Sequence, residues 1–355
     1  MKLKKNVFLS TIFICLFFLV YIFVAARPLG KELQMTPQWT VNISPVDIVN
    51  TQAVSGQLPF RLGQMMGYFT SDGKIVSAET FPYKASISSN FYAKYGSDDP
   101  EIPFFSSNGV QTGTIKSSGF PFFEDDRIFM FFPGGCSFMQ CNTDGTEKWR
   151  YEGVMPVTAF SSSPAGCVAG FADGTLCTFS PAGKVLQQFS PGGSDYDVIL
   201  GAAYSPDGKY VACVSGQNRQ RIVVAKCDKD HCIITFFKYF NKDLTRQTLV
   251  QFNKKSNIVY YNYADGLGIV NCITNECKEI PVNGKVIAIQ ESEKANTAYA
   301  LTKNGTTYSV YAIEGQNSLL GSFSFTASSA FILAHDDSLF VGRDSRISRF
   351  KLTRN

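Results

Sequence analysis

Two cysteine pairs share one spacing, Cys227-Asp-Lys-Asp-His-Cys232 and Cys272-Ile-Thr-Asn-Glu-Cys277. Such pairs can close a disulfide, hold a metal or remain thiols. A four-residue loop at the end of a β-hairpin sets its flanking residues opposite each other. Cross-strand Cβ separations of about 4.5–5.5 Å lie near what a disulfide accepts. Both pairs are therefore predicted to be bridged if the compartment is oxidising. Four ordinary buried thiols are the alternative. A zinc site on Cys227, His231 and Cys232 is disfavoured, because the chain holds only two histidines and the loop is too short to converge four ligands. Cys136, Cys141, Cys167, Cys177 and Cys213 have no local partner and read as small core residues.

The remaining reactive residue types form no catalytic set. His335 precedes Asp336, but no G-x-S-x-G nucleophile elbow accompanies them. Asp98-Asp99, Asp125-Asp126 and Asp336-Asp337 are paired carboxylates in turns. Glycosidase acids must instead face each other across about 5–10 Å. Neither a calcium loop nor a Walker-type phosphate loop is found. No catalytic, cofactor-binding or metal-ligating residue is assigned, and no cofactor is expected. Arg219, Arg221, Lys226 and Lys229 cluster on one hairpin. They read as a solvated rim, with an anionic contact face as the alternative.

The elements that carry these residues repeat. Of 355 residues, 45% are hydrophobic and 14% aromatic, which suits pleated, half-buried strands. The apolar content argues against disorder, and a net charge of +4 is too small for a nucleic-acid footprint. Polar corners recur between short strands: Ser71-Asp72-Gly73, Glu124-Asp125-Asp126, Ser163-Pro164-Ala165-Gly166, Ser205-Pro206-Asp207-Gly208, Asn253-Lys254-Lys255-Ser256, Glu293-Lys294-Ala295 and His335-Asp336-Asp337. Marked at Gly73, Asp126, Ala165, Gly208, Lys255, Lys294 and Asp337, the steps are 53, 39, 43, 47, 39 and 43 residues. A period of this size with about four strands in each predicts an all-β fold, a β-propeller. A sandwich would not explain the regular spacing.

The first unit is read as Met65–Thr70, Lys74–Glu79, Tyr83–Ser88 and Phe91–Tyr95. Residues 97–118 then form an insertion or an outer hairpin, which accounts for the long first step. The last unit, from Ala330, lacks a fourth strand. Gln38-Trp39-Thr40-Val41-Asn42-Ile43 can supply it, by analogy with Lys148-Trp149-Arg150-Tyr151. Trp39, Val41 and Ile43 are thus the predicted ring closure, which removes two exposed edges. The count is seven blades, or eight if 97–118 belongs to a degenerate blade.

Val7 to Ala26 is an uncharged run of 20 residues, about 30 Å as a helix and one hydrocarbon core thick. Lys2, Lys4 and Lys5 precede it, so residues 1–6 are expected in the cytoplasm and the remainder outside. A cleaved signal peptide ending at Val24-Ala25-Ala26 is the rival, but its apolar region is usually shorter. A lipoprotein anchored at Cys15 is disfavoured by the bulky Ile14 before it. Residues 27–37 then form a stalk, and 38–355 the propeller domain.

Tyr204-Ser205-Pro206-Asp207-Gly208-Lys209-Tyr210-Val211-Ala212 resembles the strand-corner-strand of WD40-like repeats. Asn142-Thr143-Asp144-Gly145-Thr146-Glu147-Lys148-Trp149 resembles the repeat of quinoprotein-like, BamB-like propellers. The resemblance implies a propeller and no particular activity. The Gly-His and Trp-Asp dipeptides of WD40 repeats are absent, as are the vicinal cysteines of quinoprotein dehydrogenases. The expectation is a single-pass protein of the cytoplasmic membrane, with its propeller in the periplasm. It would bind or scaffold protein partners within the roughly 35 Å reach of its stalk. The alternatives are a propeller hydrolase, lyase or oxidoreductase with a site on the central funnel, and a sensor limited by its six-residue cytoplasmic part.

Overall fold

The computed structural model describes residues 12–21, 33–45, 56–228, 231–315 and 318–354. The chain divides into two compact units, Met1–Thr36 with Leu352–Asn355, and Pro37–Lys351. In the first unit, residues 12–21 are helical and their large apolar side chains are exposed. No helix among the described residues is long and apolar enough to cross a membrane. The predicted span over 7–26 is therefore not seen as such. Its positions 7–11 and 22–26 lie outside the described residues, as do 27–32 of the predicted stalk.

The second unit is a propeller of eight antiparallel sheets. Blade 1 has three strands among the described residues, Leu58–Leu62, Met65–Phe69 and Ile75–Thr80. Blade 2 runs from Lys84–Ile87 to Gln111–Ile115, blade 3 from Phe120–Glu124 to Glu147–Glu152, and blade 4 from Val157–Ser163 to Val185–Phe189. Blade 5 runs from Tyr196–Tyr204 to Cys232–Tyr239, blade 6 from Val250–Phe252 to Cys277–Pro281, and blade 7 from Lys285–Ser292 to Ser318–Thr326. Blade 8 joins both ends of the chain. Ala330–His335, Ser338–Arg343 and Arg346–Arg354 are followed by Leu33–Asn42 as outermost strand. The Ile43 N–H donates to Ser345 O at 2.7 Å, and the Thr40 and Ser348 hydroxyls are 2.9 Å apart.

The leading count of seven is corrected to eight, the count allowed if 97–118 belongs to a blade, and the miscount traces to one corner. The Ser71-Asp72-Gly73 turn is not equivalent to the other markers. Its two backbone bonds, Thr70 N–H to Lys74 O and Gly73 N–H to Thr70 O, recur in the turns at 142–146 and 180–184. Those are turns between third and fourth strands. The same bonds also close the 171–175 turn between second and third strands, but the glycine that receives the preceding blade's tryptophan, Gly183 as Gly73, stands in the third–fourth turn. Blade 1 therefore carries the outer three strands of a blade. The stretch read as one unit is split: Met65–Phe69 and Ile75–Thr80 finish blade 1, while Lys84–Ile87 and Phe91–Tyr95 open blade 2. Residues 97–118 take the second of the two expected forms, an outer hairpin rather than an insertion. They supply Ile102–Ser106 and Gln111–Ile115, the outer half of blade 2.

Neighbouring blades lock in two ways. First, a tryptophan on one outermost strand packs on a turn glycine of the next blade. Trp149 lies over Gly183, where an added Cβ would sit 2.4 Å from the ring. Trp39 lies over Gly73, at 3.1 Å. Both glycines have positive φ, so the turn and the close approach make one demand. Second, the first corners are hydrogen-bonded around the ring. The Ser88 hydroxyl donates to Asp125 O at 2.9 Å, Ser163 to Ser205 O at 3.2 Å, and Ser292 to Asp336 O. The Asp207 N–H donates to Ser256 Oγ at 3.1 Å. Corner serines that look like ordinary turn formers are thus spent on holding the next blade. This face of the ring is called the corner face below.

Candidate functional site

Inner strands of a propeller converge on the axis, so their side chains line whatever opening remains. Here the opening on the corner face is a funnel of about 830 Å³, walled by blades 3 to 7. Phe122, Phe160 and Tyr204 supply aromatic surface; Gln251, Gln290, Ser161 and Lys254 supply polar groups. Phe122 is exposed, and its ring meets Phe160 edge-on at 5.8 Å.

Between blades 3 and 4 the wall carries a connected polar set. Arg127 Nε–H donates to Ser162 Oγ at 2.9 Å, and the Ser162 hydroxyl donates to Glu124 Oε2 at 2.7 Å. Burial pushes the Glu124 carboxyl above the usual carboxylate range, opposed by the Ser162 hydrogen bond and the Arg127 charge. The guanidinium also stands 3.6 Å from Asp125 and 3.7 Å from Asp126, both exposed. Asp125 and Arg127 further line a second cavity of about 680 Å³ between blades 3 and 4, which reaches out to Trp149 and Gln140. The polar set thus sits where funnel and inter-blade groove meet.

The opposite end of the axis is crossed by chain. Residues 240–249 connect blades 5 and 6. From this connection Gln247 Nε2 donates to Thr158 O of blade 4 at 2.6 Å, and Lys285 Nζ of blade 7 donates to Gln247 O at 3.5 Å. The Thr248 N–H is held by Leu200 O at 2.9 Å. The funnel is therefore open on the corner face and strapped behind.

The sequence-predicted site residues lie elsewhere. Cys227 and Cys232 face each other in register and form a disulfide. The Asp228 N–H donates to His231 O at 3.0 Å and closes the loop between them. Cys272 and Cys277 are not bridged, which corrects the second predicted bond. Their equal spacing hides a different turn. Asn271 Oδ1 accepts the N–H groups of Ile273 and Thr274, so the strand stops at Asn271 and Cys272 falls inside the turn. Cys277 then stands opposite Val270. Cys272 is buried, and desolvation pushes its thiol up to about 12. Burial likewise holds Cys141 and Cys213 at about 12 and Cys177 at about 11, values at which thiols stay inert at neutral pH. Trp39 and Val41 are partly buried and Ile43 is buried in one cluster with Phe340 and Ile347.

Both histidines are exposed, His231 in the loop at 3.4 Å from Asp228 and His335 at the end of its strand, 3.7 Å from Asp336. Neither lines the funnel. Arg221 departs from the solvated rim expected for its hairpin. It is 7% exposed, its Nη2 donates to Pro191 O at 2.8 Å, and its guanidinium packs against Phe237 and Tyr239 at 5.0 and 5.6 Å. Gly193 has no room for a Cβ beside it. Reasoning from sequence missed the Glu124–Ser162–Arg127 set because these residues come from two repeats. Its one visible signal was the Glu124-Asp125-Asp126-Arg127 corner, where an arginine follows three acids.

Comparison with known proteins agrees with this architecture. An uncharacterized protein of Treponema pallidum (strain Nichols) is 30% identical, over 99% of this chain and 95% of its own length. Among solved structures, BamB from Moraxella catarrhalis superposes with a TM-score of 0.60 at 10% identity, covering 90% of this chain and all of that one. The computationally designed Ika8 protein gives 0.59 at 16% identity, covering 91% and 98%. At these identities the two structures share the fold alone. A family model described as beta-propeller protein matches residues 1–354, and the chain belongs to that family.

Proposed function

We propose that this protein is a membrane-anchored binding module, displayed outside the cytoplasmic membrane, whose corner-face funnel docks a segment of a protein partner. The funnel carries this reading. It is a strapped cup of about 830 Å³ with aromatic walls and a few fixed polar groups, the composition of a recognition site. The Arg127–Ser162–Glu124 chain orients its members rather than activating one of them: the Ser162 hydroxyl already donates to a carboxylate and accepts from a guanidinium. Such a wall reads hydrogen-bonding groups on a guest.

The address has its own support. A bridged Cys227–Cys232 pair suits an oxidising compartment. The uncharged run over 7–26 is long enough to span a bilayer and lies within the stretch that the family model matches. A propeller tethered by a short stalk would serve a membrane-proximal envelope complex as a scaffold. One observation favours a catalytic alternative: Glu124 is a carboxyl with a raised pKa at the wall of a cavity.

A photo-crosslinking residue at Phe122, with a second at the exposed rim position Thr112, tests the binding reading in intact cells. Protein adducts formed through position 122 and not through 112 are the expected result. Equal adducts from both, or none, would refute it. Protease added to spheroplasts tests the address, and a body that stays protected would place the propeller inside.

A further inference from the structure

We propose that the outer edge of blade 7 is a self-association seam, along which two copies of this chain pair strand to strand. Eight outermost strands ring the propeller, and each leaves a row of backbone groups that a foreign strand could join. Most of these edges are blunted. Leu33–Asn42 carries Pro37, Ile75–Thr80 carries Glu79, Glu147–Glu152 has four charges, Cys232–Tyr239 has Lys238, and Cys277–Pro281 has charges and a proline. Gln111–Ile115 and Val185–Phe189 are uncharged but only five residues long. Ser318–Thr326 alone combines nine residues with no charge and no proline. Among the described residues it pairs only with Thr307–Glu314, so its outer side is open.

The choice of a second copy follows from the pattern of that edge. From Gly321 to Thr326 it alternates, with Phe323 and Phe325 on one side and serines on the other. A two-fold axis through a residue of an antiparallel pair sets odd positions against odd and even against even. With the axis at Phe323, Phe325 meets Gly321, Phe323 meets itself and Ser322 meets Ser324. No charge is brought against its own image, whereas the edges with Lys238 or Glu79 would oppose theirs. Phe323 and Phe325 are already ordered for contact: they stack at 6.3 Å, and Phe323 packs on Phe350 at 5.7 Å. A single strand pair lies at the small end of interface sizes, so the dimer is weak and concentration-dependent.

The test uses the full-length chain in detergent, with mass read by light scattering across a concentration series. A monomer–dimer equilibrium is expected. Ser322→Lys, at an exposed edge position, should weaken it at least tenfold with the melting temperature unchanged. Thr112→Lys on blade 2 should leave it as it was. Independently, Ser322→Cys in oxidised membranes should give a covalent dimer on a non-reducing gel that the parent chain does not. A chain that stays monomeric throughout, a dimer indifferent to Ser322→Lys, or a Ser322→Cys chain with no added covalent dimer each overturns the proposal. So does capture of a foreign protein through position 322 in place of a second copy.

Discussion

The boundary between blades 3 and 4 and the boundary between blades 8 and 1 use the same device with different finish. Trp149 stacks on Phe179 at 5.8 Å and meets Phe138 and Phe129 edge-on at 5.8 and 6.3 Å. Its indole Nε1–H donates to Gln140 Oε1 at 2.7 Å. Among the described residues Trp39 has one aromatic ring contact, Phe340 at 5.8 Å, and its buried indole nitrogen has no hydrogen-bond partner. On the corner face, blades 3 and 4 are tied by the Glu124–Ser162–Arg127 chain, while blades 8 and 1 are tied by Arg349 Nη1 donating to exposed Ser71 O at 3.0 Å. The seam that closes the ring is thus the less completely satisfied of the two. Its Arg349–Ser71 bond joins residues 278 positions apart. Propeller closure needs no covalent help when a tryptophan can reach the next blade's glycine. Its strength, however, depends on polar finish that the fold does not guarantee.

Removing either indole is the harshest way to challenge that comparison. Trp149→Ala deletes a side chain packed by three aromatics and should cost roughly 3–5 kcal/mol. Trp39→Ala should cost less, because fewer contacts are lost and a buried unpaired N–H goes with them. Chemical denaturation of both variants measures the order, and a larger loss at Trp39 would reverse the ranking. Glycine substitution probes the same contacts from the other side. Gly183→Ala places a Cβ against the Trp149 ring at positive φ and should lose about 2 kcal/mol or more. Gly73→Ala meets its ring at 3.1 Å and needs only a slight retreat of Trp39, so its loss should be smaller. Equal midpoints for the two would mean that backbone strain alone sets the cost.

A gentler pair isolates the indole N–H. Trp149→Phe leaves Gln140 without its donor and should cost about 1–3 kcal/mol. Trp39→Phe removes an orphan donor and should be close to neutral once lost packing is allowed for. Thermal melts that rank them oppositely would show that the Trp39 nitrogen has a partner in solution. The finest distinction is in pH. Burial raises the folded-state pKa of Glu124, so the native state holds this proton more tightly than the unfolded chain. Stability should then fall as pH rises from the ordinary carboxylate range through the raised value, and stay lower above it. Glu124→Gln should flatten that slope, whereas Ser71→Ala at the other seam should leave it in place. An unchanged slope in Glu124→Gln would remove Glu124 as its source.

Some of this was written in short stretches of chain and some was not. The parallel between Trp39 and Trp149 could be seen because each stands between two polar residues, Gln38 and Thr40 in one case and Lys148 and Arg150 in the other, in a short strand-like stretch. The two tryptophans do occupy matching places. The corner spacing gave the propeller, yet Gly73 misled the count. A turn between third and fourth strands uses the same Asp-Gly chemistry as a turn between first and second, and local residues do not say which turn they make. Likewise the two Cys-x4-Cys spacings are identical. Cys227 and Cys232 are flush because Asp228 closes the loop beside them, while Asn271 ends its strand one residue before Cys272. Arg221 looked like a surface charge until Gly193 and two aromatic rings covered it.

By itself the order of residues determined the strand period, the turn positions and the tryptophan that closes the ring, because these depend on local propensity and on repetition. Only the tertiary structure decided the number of blades, which cysteines meet, and which polar groups share the funnel. Those outcomes depend on register and on contacts between repeats some 40 residues apart, where the free energy of bringing side chains together is set by neighbours that no single stretch of chain contains.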